Sequence, residues 1–182
     1  MKVNIRFAQL HDLPALKRAA EQCKANNEED YFEECLYRVQ QGERDVYIAI
    51  RNDIVVGYVM LVWKPRYQPF RRLNIPEIQD LNVVPHLRRQ SIGSQLMSHC
   101  EARCVEKGHT IIGIGVGLHR SFGPALRMYH NRGYRPDGGG AVYENKVIDF
   151  GELKPLDENF CIKMMREMPS KVIKKVPVKP KS

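Results

Sequence analysis

The 182 residues are 43% hydrophobic, ordinary for a globular chain and enough for one domain with a sizeable core. No apolar run approaches the roughly 18 residues of a membrane span. MKVNIRFAQLHD lacks the apolar stretch of a signal peptide, so a cytoplasmic protein is expected. Of the net charge of +8, five units come from Lys171, Lys174, Lys175, Lys179 and Lys181. These lie in a Pro-interrupted tail, 169–182, expected to be disordered; residues 1–168 are expected to form the domain. The five cysteines are an odd count without framework spacing, which points to free thiols.

In chain order, Lys2–Ala8 reads as a strand, and Asp12 as the cap of a helix from Leu13 to about Lys24. Its apolar face is Leu13, Leu16, Ala20 and Cys23. Asn26-Asn27 breaks it, and Glu28–Gln41 forms a second helix with Phe32, Leu36 and Val39 inward. Val46–Ile50 and Ile54–Trp63 read as strands joined by a turn at Arg51-Asn52-Asp53. Lys64–Ile75 reads as a loop of mixed basic and aromatic residues.

Ile78–Ser94 reads as a buried strand, a basic loop and a helix start, and the rest of the chain is arranged around it. Ile78, Leu81, Val83 and Val84 make the strand apolar and Pro85 ends it. The helix after Arg88-Arg89-Gln90-Ser91 carries Ile92, Leu96, Cys100 and Cys104 at i, i+4 spacing and runs to Lys107. A helix start with small residues offers unpaired N–H groups and partial positive charge, and two arginines stand beside it; such a site suits a pyrophosphate, although an ordinary helix cap has the same look. His109–Leu118 is a strand whose alternating glycines suit close approach by a ligand or another backbone. Pro124–Asn131 is a helix, Tyr134 starts a strand, Asp137-Gly138-Gly139-Gly140 reads as a flexible turn, and Val142–Ile148 and Asn159–Arg166 as a closing antiparallel pair. Strands alternating with helices and then a terminal hairpin predict a mixed α/β sheet.

Arg88-x-x-Ser91-Ile92-Gly93-Ser94 resembles the acyl-CoA pyrophosphate motif of the GNAT superfamily of N-acetyltransferases, Q/R-x-x-G-x-G/A. Ile5-Arg6-x-Ala8-x-x-x-Asp12-Leu13-Pro14-Ala15-Leu16 resembles that family's first strand and helix, Asp80–Val83 its central strand, and Ala125-x-x-x-Tyr129-x-x-x-Gly133-Tyr134 its late helix and following strand. The likeness spans about Val3–Met168. It departs from the pattern at Ser91, where the family has glycine, and at Phe122, where asparagine is frequent.

The resemblance implies a mostly antiparallel central sheet flanked by helices, acetyl-CoA as acetyl donor, and direct transfer to a primary amine of a small molecule or protein. It implies that the backbone of Leu81, Asn82 and Val83 pairs with the pantetheine arm. Arg88, Arg89, Gln90, Ser91, Ile92, Gly93 and Ser94 would cradle the pyrophosphate. Tyr129 takes the place of the acid that protonates the departing thiolate; a core tyrosine is the plainer reading. Glu77, eleven positions before Arg88, matches the glutamate base of the histone-acetyltransferase branch, with Asp80 and ordered water as alternatives. His119 and Arg120 end the glycine-rich strand and are candidates to touch substrate.

No histidine–cysteine set has zinc-ligand spacing, so no metal is expected. The acceptor is open. Glu28, Glu29, Asp30, Glu33 and Glu34 suit a cationic amine, whereas Lys64, Arg66, Arg71 and Arg72 suit a carboxylate or phosphate. A homodimer is common in the family. The competing reading is a non-catalytic CoA-binding or regulatory protein whose basic surface meets RNA or an acidic partner. Basic residues do not interleave with aromatics on a periodic face, which argues against a pure nucleic-acid module.

Overall fold

The computed structural model describes residues 3–25 and 28–169. The break expected at Asn26-Asn27 and the basic tail lie outside them.

Among the described residues five α-helices and eight strands follow one another: β1 (Asn4–Phe7), α1 (Leu13–Cys23), α2 (Tyr31–Gln40), β2 (Arg44–Arg51), β3 (Ile54–Val62), α3 (Gln68–Arg72), β4 (Glu77–Val83), α4 (Ile92–Glu106), β5 (Ile111–Gly117), α5 (Gly123–Asn131), β6 (Arg135–Tyr143), β7 (Lys146–Val147) and β8 (Phe160–Glu167). The strands form one sheet in the order β1-β2-β3-β4-β5-β8-β6-β7. Every neighbouring pair is antiparallel except β4 and β5.

The β2–β3 hairpin closes at Asn52 and Asp53, with φ of 48° and 59°. A two-residue turn with left-handed φ at both positions matches the strand twist, and Asn and Asp tolerate it. Strand alternation then sends side chains to two covered faces. On one face Phe32 of α2 meets Tyr58 of β3 edge-on, ring centroids 5.4 Å apart, and Cys35 lies 3.5 Å from Met60. Lys17 of α1 pairs with Glu33 of α2 at 2.7 Å. On the other face α4 packs Ile92, Leu96, Cys100 and Cys104 against the sheet, each at most 1% exposed. α5 lies beside α4, tied by Arg132 to Glu101 at 3.0 Å.

Four expectations are corrected. Asp12 makes no side-chain cap on α1; its carboxylate accepts from Arg6 at 2.7 and 2.8 Å and from the Gln9 N–H at 2.8 Å, a stronger set of donors. The second helix starts at Tyr31 rather than Glu28. The 64–75 loop contains α3, with a proline in its first turn where no N–H is needed, and Tyr67, Phe70 and Ile75 form a small core with Val142. Asp137–Gly140 is part of β6, bulged against β8, and 142–148 is the end of β6, a turn at Glu144-Asn145, and β7; the antiparallel pairing expected with 159–166 is present at Val142–Cys161 and Tyr143–Phe160, and β8 inserts between β5 and β6.

The glycines of β5 have a different use from the one anticipated. Side chains occupy the space they leave. A Cβ at Gly113 would run into the Phe70 ring, one at Gly115 would lie 3.3 Å from Lys163 Nζ, and one at Gly117 2.5 Å from the Phe122 ring.

Candidate functional site

β4 and β5 pair only at Glu77 with Gly113 and Ile78 with Ile114, then separate. The separation starts at a bulge in β4, where the register with β3 jumps between Tyr58–Asn82 and Met60–Gln79 and Asp80 has φ of 52°. Beyond the bulge β4 keeps β3 as its neighbour on one side: Val84 N–H donates to Val56 C=O at 3.0 Å. Alternation therefore turns the N–H and C=O of Leu81 and Val83 toward the edge that β5 has left. That edge is a strand lacking a partner, the arrangement that accepts an extended peptide-like chain. Arg88 Nε donates to the Val83 carbonyl at 2.9 Å, so Arg88 lies along the same edge.

The edge runs into the start of α4. The first helical bond is Gln95 N–H to Ser91 C=O, 3.0 Å, which leaves the N–H groups of Ile92, Gly93 and Ser94 ahead of it without helical acceptors. Ile92 contributes only backbone, its side chain being 1% exposed and in the core. Ser91 has φ of 63° and Arg89 of 61°. A Cβ at Gly93 would make ordinary contact with Val83 Cγ2 at 3.8 Å and with the Met128 thioether at 3.9 and 4.0 Å. Arg88 and Arg89 are exposed, and Arg51 from the hairpin end of β2 donates to Gln90 Oε1 at 3.3 Å. Free N–H groups, a helix N-terminus and three guanidinium groups are donors for a diphosphate, and the residues present fit it.

Tyr129 is buried in α5, 6% exposed, with the Tyr134 ring 6.1 Å away. Burial pushes its phenol above the usual value, so it keeps its proton well past neutral pH. Glu77 is 1% exposed; Oε1 accepts from Lys163 Nζ at 2.6 Å and Oε2 from Gln79 at 2.9 Å. Lys163 also donates to Asn145 at 3.2 Å. Asp80 sits at the bulge, open to water on one side and ringed by protein elsewhere, and accepts from the Tyr31 hydroxyl of α2. Desolvation raises its pKa, against the opposing pull of Tyr31 and Arg44. His119 and Arg120 are exposed beyond β5, with His119 accepting from the Ser121 N–H at 3.3 Å.

The structure thus joins residues 81–83 to 88–94 through the Arg88–Val83 hydrogen bond, with Glu77 and Asp80 earlier on the same strand. Lys163, Tyr31, Arg44 and Arg51 are additions. Lys163 interrupts the apolar run of β8, the mark of a buried partner; the other three carry no local signal.

Residues 10–134 match the model of the acetyltransferase (GNAT) family. The chain belongs to this family. It is 33% identical over 88 residues to the aminoalkylphosphonate N-acetyltransferase of Salmonella typhimurium, a match covering 48% of this chain and 54% of that protein. The chain therefore spans about half the length of that relative. Among solved structures, the phosphinothricin acetyltransferase of Sinorhizobium meliloti in complex with AcCoA gives a TM-score of 0.70 at 15% identity, covering 98% of this GNAT chain and 95% of that one. The ribosomal-protein-S18-alanine N-acetyltransferase of Escherichia coli gives 0.68 at 14% identity, covering 97% and 100%. These two likenesses concern the fold.

Proposed function

We propose that this GNAT acetyltransferase moves an acetyl group from acetyl-CoA to the primary amine of a small molecule. The observation that carries this is the wedge between β4 and β5, whose free edge at Leu81–Val83 runs into the N–H groups of Ile92–Ser94. A thioester whose amide-bearing arm lies along that edge brings its carbonyl to the Leu81 N–H, a donor suited to the developing oxyanion. The amine nitrogen attacks the carbonyl carbon, the C–S bond breaks, and the departing thiolate takes its proton from Tyr129. The buried phenol carries its proton at neutral pH, so a proton is available where the thiolate forms. A small amine is favoured by the relative named for an aminoalkylphosphonate. It is also favoured by the burial of Tyr67 and Phe70, which removes the aromatics of the basic loop from any nucleic-acid surface.

The test has two stages. Acetyl-CoA and CoA should each raise the melting temperature by mass action. Thiol release should then be followed with a panel of amines that includes aminoalkylphosphonates, simple alkylamines and a peptide with a free N-terminus. Turnover confined to the peptide would move the acceptor to protein. A thermal shift with no turnover on any member would count against catalysis.

A further inference from the structure

The reaction described above starts from an ammonium group, which has no lone pair to attack with. We infer that Asp80, held by the Tyr31 hydroxyl, removes the proton from the bound amine. This assignment rests on the acetyl-transfer reading.

Two carboxylates stand near the point where β4 and β5 part. The Glu77 oxygens are both engaged, Oε1 by Lys163 at 2.6 Å and Oε2 by Gln79 at 2.9 Å, and the Glu77 and Lys163 side chains are 1% and 6% exposed. Glu77 therefore has no oxygen free to meet a bound amine. Asp80 differs on each count. Tyr31 holds Oδ2, while Oδ1 accepts no hydrogen bond among the described residues, and the residue is reached by water. Asp80 also immediately precedes Leu81, whose N–H faces the open edge, so a base there stands one residue from the oxyanion donor. Its φ of 52° is a left-handed conformation that aspartate tolerates and that concentrates at functional sites.

The groups facing Asp80 come from four directions: Tyr31 and Cys35 on α2, Arg44 on β2, Glu77 on β4, and Glu158 before β8. Desolvation, Glu77 and Glu158 raise its pKa; Tyr31 and Arg44 hold it down. The net shift is upward, toward the pH at which a base is useful.

The proton count closes. Asp80 takes one proton from the ammonium and returns it to water. The nitrogen forms its bond to the carbonyl carbon. Its second surplus proton leaves to water as the C–S bond breaks, and Tyr129 protonates the thiolate and is restored from solvent.

The experiment is the pH dependence of kcat/KM, measured with acetyl-CoA and the best acceptor of the amine panel. Wild type should lose activity as pH falls through the pKa of Asp80. Asp80→Asn, whose side chain tolerates the same φ, should lower kcat/KM on the order of 100-fold and abolish that acidic limb. Its thermal shift with acetyl-CoA should be unchanged. Glu77→Gln should retain the limb, moved to lower pH because a neighbouring negative charge is gone. An acidic limb that survives in Asp80→Asn and vanishes in Glu77→Gln would return the base to Glu77. If Asp80→Asn does not fold, ¹³C carboxyl titration of wild type decides, because Asp80 must titrate where the limb lies. Wild type that binds acetyl-CoA but acetylates nothing would overturn the acetyl-transfer reading; an active wild type with an unchanged Asp80→Asn profile overturns only this assignment.

Discussion

Lys163 Nζ on β8 lies 2.6 Å from Glu77 Oε1 on β4, with the two side chains 6% and 1% exposed. The pair crosses β5, which lies between the two strands and leaves room for it at Gly115, where a Cβ would meet Nζ at 3.3 Å. It therefore bridges strands on either side of the sheet's one parallel junction, close to where β4 and β5 separate.

Lys163→Met should lower stability by about 3–5 kcal/mol, because it leaves Glu77 buried without its counter-charge. Lys163→Met combined with Glu77→Met should recover most of that loss, since an apolar pair needs no compensation. Urea denaturation of the two variants checks this. A single variant within about 1 kcal/mol of wild type would show that the pair behaves as a solvated one.

Tyr129→Phe should cut turnover by about 100-fold or more, while the thermal shift with acetyl-CoA stays near that of wild type. The acid proposed for the reaction is then missing, while residues 81–83 and 88–94, proposed to bind the cofactor, are untouched. Burial raises the phenol's pKa, so loss of its proton is expected only well above neutral pH. An equal fall in cofactor affinity and turnover would make Tyr129 a packing residue of α5.

What the sequence made legible was local. The α4 stripe, the Asn52-Asp53 hairpin and the continuity of residues 78–94 follow from periodicity and turn chemistry acting over a few positions. What it concealed was pairing at a distance. Lys163 and Glu77 are 86 positions apart, Tyr31 and Asp80 49, and no local pattern joins them. Arg6 overrode the capping role of Asp12 in the same way. Composition misled twice, where a proline in a first turn hid α3 and three glycines hid the bulged middle of β6.

Ser91→Gly should raise stability by about 1 kcal/mol, because Ser91 holds φ of 63° and only glycine adopts that conformation without cost. The N–H groups at the start of α4 are unchanged, so acetyl-CoA affinity should be at least that of wild type. Chemical denaturation and calorimetric titration measure the two quantities. Reduced affinity in the glycine variant would mean that the serine hydroxyl itself contacts the cofactor.

Arg6→Met should shift acid unfolding to higher pH. Hydrogen bonds from Arg6 hold the Asp12 carboxyl below its ordinary value. A depressed folded pKa adds stability above the unfolded value of about 4, and that stability is lost as pH falls through the folded value. Without Arg6 the depression shrinks. Asp12 lies on a β1–α1 connection that is 7% exposed at its side chain, but Arg6 is 35% exposed, so the gain at neutral pH is modest, about 1 kcal/mol or less. Stability followed from neutral pH down through the acid range separates the cases: an electrostatic difference between variant and wild type shrinks as pH falls through the folded value, whereas a difference independent of pH traces to lost packing.

Gly117→Ala should destabilise the protein by about 1–3 kcal/mol, because the new methyl would stand 2.5 Å from the Phe122 ring. Phe122 packs against the main core just before α5, so the ring cannot swing out without uncovering apolar surface. Phe122→Leu removes atoms at the point of collision and leaves part of the ring's volume filled. Alone it should cost about 1 kcal/mol or slightly more. With Gly117→Ala it should cost less than the sum of the two single changes, because the collision that penalises the alanine is gone. A double-mutant cycle by urea denaturation reads the coupling. Strict additivity would show that the alanine is accommodated by a shift of β5 itself, and such a shift would also be visible as altered acetyl-CoA affinity at the neighbouring edge.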